Sequence, residues 1–240
     1  MTGGLGMLAP VMAVASEGAL SQQSYAGSPL PMMGMLAVMS LLPFAVLMLT
    51  SFSKIAVVLS LARSAMGTQQ APPTLVLTGL AAVLTGHIMA SVMERTYDAG
   101  QRAYQELEAG SGVRILDAAA QVAEPLRGFL VKHGSPEERA RFVDLARELR
   151  PPEEVDSVRE TDLFVIIPAF VITELKEAFQ IGFLVFLPFL VLDMVIANVL
   201  LALGMQTLSP GQVSLPFKIL LFVAVDGWSL LARGLILGYR

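Results

Sequence analysis

The chain has 240 residues, 55% of them apolar before its 20 glycines are counted and only 15% charged. Its mean hydropathy is +0.67, whereas soluble domains carry about 45–50% apolar residues with glycine included, so this is a membrane chain. A net charge of −4 with a pI of about 5.2 gives no basic footprint for nucleic acid, and the absence of cysteine removes disulfides, thiolate metal sites and cysteine nucleophiles together.

Residues 1–29 form an N-terminal segment. Met7 to Ala15 is apolar and ends in Ala13-Val14-Ala15, which fits a small-residue cleavage site, yet no Lys or Arg precedes Lys54. The segment therefore reads either as signal-like or as an exported tail. Residues 30–93 form a first apolar block. Leu30 to Leu49 is free of charge over 20 residues, long enough to cross a hydrocarbon layer of about 30 Å. After Lys54 and Arg63, Ala71 to Met93 gives a second uncharged run, in which Thr78, Ala82, Gly86 and Ala90 recur every four positions. That spacing makes one helix face small enough to admit a partner helix closely.

Residues 94–162 form a polar insert holding 25 of the 36 charged residues. Ile115, Ala119, Val122, Leu126, Phe129 and Leu130 recur at helical spacing, as do Phe142, Leu145, Ala146 and Leu149. Ser135-Pro136-Glu137-Glu138 reads as a helix start, and Pro151-Pro152 as a stop. Residues 163–240 form the second apolar block. Leu163 to Thr173 is interrupted by Glu174, Lys176 and Glu177; Ile181 to Leu203 resumes with Asp193 as its only charge. The loop Gly204 to Gln212 holds the turn signal Ser209-Pro210-Gly211, and Val213 to Leu237 carries Lys218, Asp226 and Arg233. The expected fold is all-α: an integral membrane protein of about four membrane-class helical segments in hairpins, around a largely helical insert. Lys54 and Arg63, read as charges of the link between the first two spans, put that link in the cytoplasm and the insert on the periplasmic side.

The residues offer little catalytic chemistry. His87 and His133 stand outside any metal-ligand spacing, and no nucleophile elbow, phosphate loop or dinucleotide turn is present. The chain is expected to be no enzyme and to hold no metal or cofactor; an intramembrane aspartyl pair of Asp193 and Asp226 is the weakest alternative. What stands out is ionisable residues among apolar ones. A lone charge at bilayer depth costs about 2.5–3.5 kcal/mol on insertion scales, so such groups pair, line water or face other subunits. Asp193 and Lys218 lie on either side of the Ser209-Pro210 turn, so a helical hairpin brings them to similar depth, where they pair within a chain or between neighbours. Three readings follow: a static ion pair, a charge belt holding subunits together, or a relay in a small-ion transporter using buried carboxylates. Met205 falls in the turn of the same hairpin, where an adaptable side chain suits a pore seal.

Three strings carry a resemblance. Thr50 to Pro73 (TSFSKIAVVLSLARSAMGTQQAPP), Ile172 to Met205 (ITELKEAFQIGFLVFLPFLVLDMVIANVLLALGM) and Ser214 to Trp228 (SLPFKILLFVAVDGW) closely resemble the FliP/SctR family, the core export-gate subunit of type III secretion systems in injectisomes and flagella. The resemblance implies a homo-oligomer, expected to be a pentamer, joined by FliQ/SctS-like and FliR/SctT-like subunits and by further export apparatus membrane proteins in the bacterial inner membrane. Unfolded secreted substrates would pass through its pore, with energy from other components. The family's methionine-rich constriction falls on Met205, with Leu208 as a second apolar position. Asp193 and Lys218 match positions that pair between adjacent copies; Glu174 and Lys176 match a further polar assembly site. The ending VDGWSLLARGLILGY and the stretch IANVLLALGMQ look more like injectisome members, whereas a signal-like N-terminus looks flagellar.

Overall fold

The computed structural model describes residues 29–68, 71–109, 115–205 and 207–240. The N-terminal segment with its signal-like stretch therefore lies outside the described residues, as do Gln69, Gln70 and Gln206. The chain divides into a unit that ends at Ala45 and a unit Val46–Arg240. Helix α1, Pro29–Met48, begins in the first of these and carries no charge. Met33, Leu36, Met39, Leu41 and Phe44 are all exposed along it, a helix apolar all round and suited to lipid or a protein partner.

In the unit Val46–Arg240 the chain forms α2 (Phe52–Ala65), α3 (Thr74–Glu108), α4 (Ile115–His133), α5 (Pro136–Glu148), a single 3-10 turn (Val155–Ser157), α6 (Leu163–Ala202), α7 (Pro210–Ala224) and α8 (Gly227–Leu237). Helix α2 is the central element. It packs most extensively on α6 and also on α3, while α4 pairs with α3, α5 lies on α6, and α7 returns along α6. Its Ile55, Val58, Leu59 and Ala62 are almost fully buried. They meet Leu77, Ala81 and Leu84 of α3, Ala178 and Phe189 of α6, Phe222 of α7 and Leu231 of α8. A Cβ built on Gly182 would stand 2.2 Å from Leu61 Cδ1, so glycine there is what lets α2 and α6 approach closely. A second core joins the insert to the apolar block through Met89 and Val92, Phe129 and Leu130, Ile166 and Phe170, and Tyr239.

Two helices, α3 and α6, are long and apolar enough to cross a membrane, and up to four spans result if 39–48 joins α2 and α7 joins α8. Among the described residues every regular element is helical. The molecule is an all-α membrane protein.

Three details differ from the expected segments. The charges Glu174, Lys176 and Glu177 do not interrupt a helix: α6 runs unbroken for 40 residues, because polarity does not end a helix when its inward charge meets a partner. Helix α3 continues to Glu108, well into the stretch read as insert. By contrast the run Val213 to Leu237 is two helices bent by 58°. Asp226 adopts the left-handed conformation at φ 51 and ends the first of them. A Cβ on Gly227 would lie 2.3 Å from the Phe222 ring, so glycine admits that ring, which then meets Trp228 edge-on with centroids 5.0 Å apart. In the insert, Ser135 precedes α5 with Pro136 in its first turn, as read, but its hydroxyl makes no capping bond.

Candidate assembly and gating sites

The α6–α7 hairpin is closed by a turn whose backbone follows from one residue. Gly204 takes φ +72; its N–H donates to Leu201 O at 3.0 Å and that of Met205 to Leu200 O at 2.9 Å. This is the glycine-ended helix stop that ties off the last carbonyls. It leaves Met205 and Leu208 at the tip, 47% and 48% exposed.

Below the tip Lys218 Nζ of α7 donates to Asp193 Oδ2 of α6 at 2.6 Å, and Ser214 Oγ donates to Asp193 Oδ1 at 2.6 Å. Within one chain both carboxylate oxygens thus have a partner. Lys218 is buried while the Asp193 side chain keeps 33% of its surface, so the pair sits at an edge of the hairpin. The backbone of Gly67, just beyond α2, closes the other side: a Cβ on it would be 3.6 Å from Leu215 and 3.9 Å from Lys218 Nζ.

Glu174 and Lys176, expected to act together, are separated by the helix they share. Glu174 is fully buried. Lys54 Nζ of α2 is 2.8 Å from its Oε1 and 2.7 Å from Glu177 Oε2; the Tyr239 hydroxyl donates to Glu174 Oε2. Lys54 also lies over the Tyr239 ring, 4.2 Å from its centroid. Lys176 points the other way, half exposed and 3.8 Å from Glu138. Lys54 is therefore a buried, neutralised helix residue and not a link charge, which removes it from the count that oriented the chain.

This cluster reaches the insert. His133, at the end of α4, packs at a tilt against Phe129 at 4.7 Å and Tyr239 at 5.0 Å between centroids. Burial, then the Lys132 and Lys54 charges, lower its pKa to about 4. Lys54, Tyr239 and Ser214 were not legible as site residues. The one available signal was a lysine inside an apolar run, Ser53-Lys54-Ile55-Ala56-Val57, which a lipid-facing helix would not carry unpaired.

Thr78, Ala82, Gly86 and Ala90 all lie on the exposed face of α3, and a Cβ on Gly86 would meet nothing within 4 Å. Among the described residues of the unit Val46–Arg240 no helix fills that face.

The FliP family model matches residues 35–235. The chain belongs to the FliP family. It is 46% identical to the hypersensitivity response secretion protein HrcR of Ralstonia nicotianae over 212 residues, covering 86% of this chain and 95% of that one. It is 44% identical to the Yop proteins translocation protein R of Yersinia pestis over 207 residues, 85% and 93% of the two chains. It is 43% identical to the flagellar biosynthetic protein FliP of Caulobacter vibrioides over 209 residues, 87% and 76%. The family is a structural component of the type III secretion and flagellar export apparatus and not an enzyme. The apolar helices α3 and α6 put this member among the membrane subunits of that apparatus.

Proposed function

We propose that the chain is a pore-forming subunit of the export gate, conducting unfolded proteins across the bacterial inner membrane, in an injectisome. Copies assemble as a ring, a pentamer by resemblance, with two further kinds of small membrane subunit, and residues 94–162 face the periplasm. The observation that carries the reading is the hairpin: an exposed Met205 and Leu208 at its turn, with a charged pair set at the hairpin's edge. Unbranched and branched apolar side chains at such a tip form a gasket that deforms around varied cargo, since methionine packs adaptably. Relatives named for secretion and translocation and covered almost end to end support the injectisome over the flagellum; the flagellar relative is covered over 76% of its length.

Asp193 and Lys218 pair within the chain and, in this reading, also brace a neighbouring copy through the open side of the Asp193 carboxylate. Charge reversal in trans tests it. Asp193→Lys and Lys218→Asp chains, each assembly-deficient alone, are expected to assemble when co-produced, read as complex recovered on a native gel. Rescue only when both reversals lie in the same chain would confine the pair to a hairpin clamp and remove the belt.

A further inference from the structure

A cleft of about 870 Å³ opens between α3 and α4 and plays no part in the gate reading. Its wall carries three bases, Arg95 and Arg102 of α3 and Lys132 of α4; its floor is apolar, with Ile88, Val92 and Phe129. Arg95 Nε donates to Ser91 O at 3.0 Å and Arg102 Nε to Asp98 O at 3.2 Å. Each guanidinium is thereby pinned to its own helix turn, leaving terminal N–H groups to spare. Among the described residues no carboxylate lies within ion-pair distance of the three. The two acids on the wall are engaged elsewhere: Glu124 with Arg127 at 3.5 Å, and Glu106 as acceptor from Gln121 at 3.5 Å.

Depth decides what fits. Arg95 is the first base after the uncharged run 71–93, so the cleft opens where α3 passes from apolar to charged sequence, the place along a spanning helix that meets the headgroups. We propose that it binds the phosphate headgroup of an anionic phospholipid, with an acyl chain lying on Ile88, Val92 and Phe129. A basic cleft between helices at that level suits a lipid phosphate; free phosphate would satisfy the bases and leave the apolar floor wet.

The delipidated full chain in neutral detergent, titrated with phosphatidylglycerol, phosphatidylcholine or inorganic phosphate and read by native mass spectrometry, tests the assignment. Phosphatidylglycerol is expected to bind best, and the triple variant Arg95→Gln/Arg102→Gln/Lys132→Gln to weaken it about fivefold for each base removed. The pair Arg147→Gln/Arg159→Gln, exposed in the same insert but outside the cleft, is expected to leave binding unchanged. Gly128 lines the cleft, and a Cβ on it meets nothing within 4 Å. Gly128→Leu therefore keeps every charge, favours the helix, and is expected to lose the lipid by filling the floor. Equal binding of phosphatidylcholine, inorganic phosphate as strong as the lipid, equal loss in the control pair, or full binding by Gly128→Leu would each overturn the proposal.

Discussion

Glu174 is fully buried in a helix otherwise rich in Phe, Leu and Val, and two other elements reach in to meet it: Lys54 from α2 and Tyr239 after α8. Breaking a buried pair by removing one partner costs about 3–5 kcal/mol, because the other charge is left uncompensated. The two partners here are unequal. Lys54→Ala leaves Glu174 with only the tyrosine hydroxyl and is expected to incur that full loss, whereas Glu174→Ala leaves Lys54 still paired with the half-exposed Glu177. Thermal unfolding in detergent checks it; equal shifts in midpoint for both variants would contradict the asymmetry. His133 gives a pH dependence with a definite sign. Its folded pKa of about 4 lies below the 6.5 of a free imidazole, so between those values the unfolded chain binds the extra proton. Its contribution is complete above about pH 6.5 and is lost as pH falls toward about 4. His133→Phe, which keeps a ring against Phe129 and Tyr239, is expected to flatten the midpoint-against-pH curve in that window. Glu174 was legible as an anomaly, but spacing along a chain reveals only neighbours on the same helix. The resemblance set Lys176 beside it in one polar site, whereas Lys54, four helices earlier in the chain, carries no mark in the sequence of the residue it faces.

At the scale of elements, α6 shows what hydropathy hides. Its 40 residues rise about 60 Å at 1.5 Å each, twice a hydrocarbon layer of about 30 Å. The apparent break at Glu174 to Glu177 is a satisfied polar site within one rod. The reverse error occurs at Asp226, where a run long and apolar enough for one span conceals an elbow, because a bend made by one left-handed residue and one glycine hardly lowers its hydropathy. The elbow predicts its own defect. Gly227→Ala drives a Cβ into the Phe222 ring and is expected to cost about 1–3 kcal/mol by overpacking. Adding Phe222→Leu to remove the ring is expected to restore part of it, as read by thermal midpoint; an unchanged Gly227→Ala would mean the ring moves freely. The hairpin itself was legible, since Ser209-Pro210-Gly211 signals a turn and Asp193 and Lys218 lie on either side of it. The partner Ser214 was not, because a serine in an apolar helix carries no mark of what it faces.

For the molecule as a whole, the described apolar surface says more than the core does. Phe179, Phe183, Leu184, Val191, Met194 and Val195 of α6 and the small-residue face of α3 all lie outward. That surface needs lipid or other subunits, and it separates the two functional readings. Reconstituted alone, the chain is expected to pass no protons or cations, while the assembled complex carrying Met205→Ala is expected to leak small solutes when opened. Flux through the lone chain at a transporter's rate would favour the buried carboxylates instead. The sequence made this class of protein legible through charge segregation and through the strings around residues 50–73, 172–205 and 214–228. It could not show which faces stay bare, because burial depends on helix order and α2 proved to be the element between α3 and α6.

The positions of Glu174 and Asp193 along α6 set an order for biogenesis. The ribosome delivers Lys54 before Glu174, so that carboxylate finds its counter-ion already inserted. Asp193 emerges before Lys218 and must wait, at a cost of about 2.5–3.5 kcal/mol for an unmatched charge at bilayer depth, until α7 follows it. A chain cut after Ala202 is therefore expected to carry at Asp193 an unmatched carboxylate that Lys218 and Ser214 meet in the full chain.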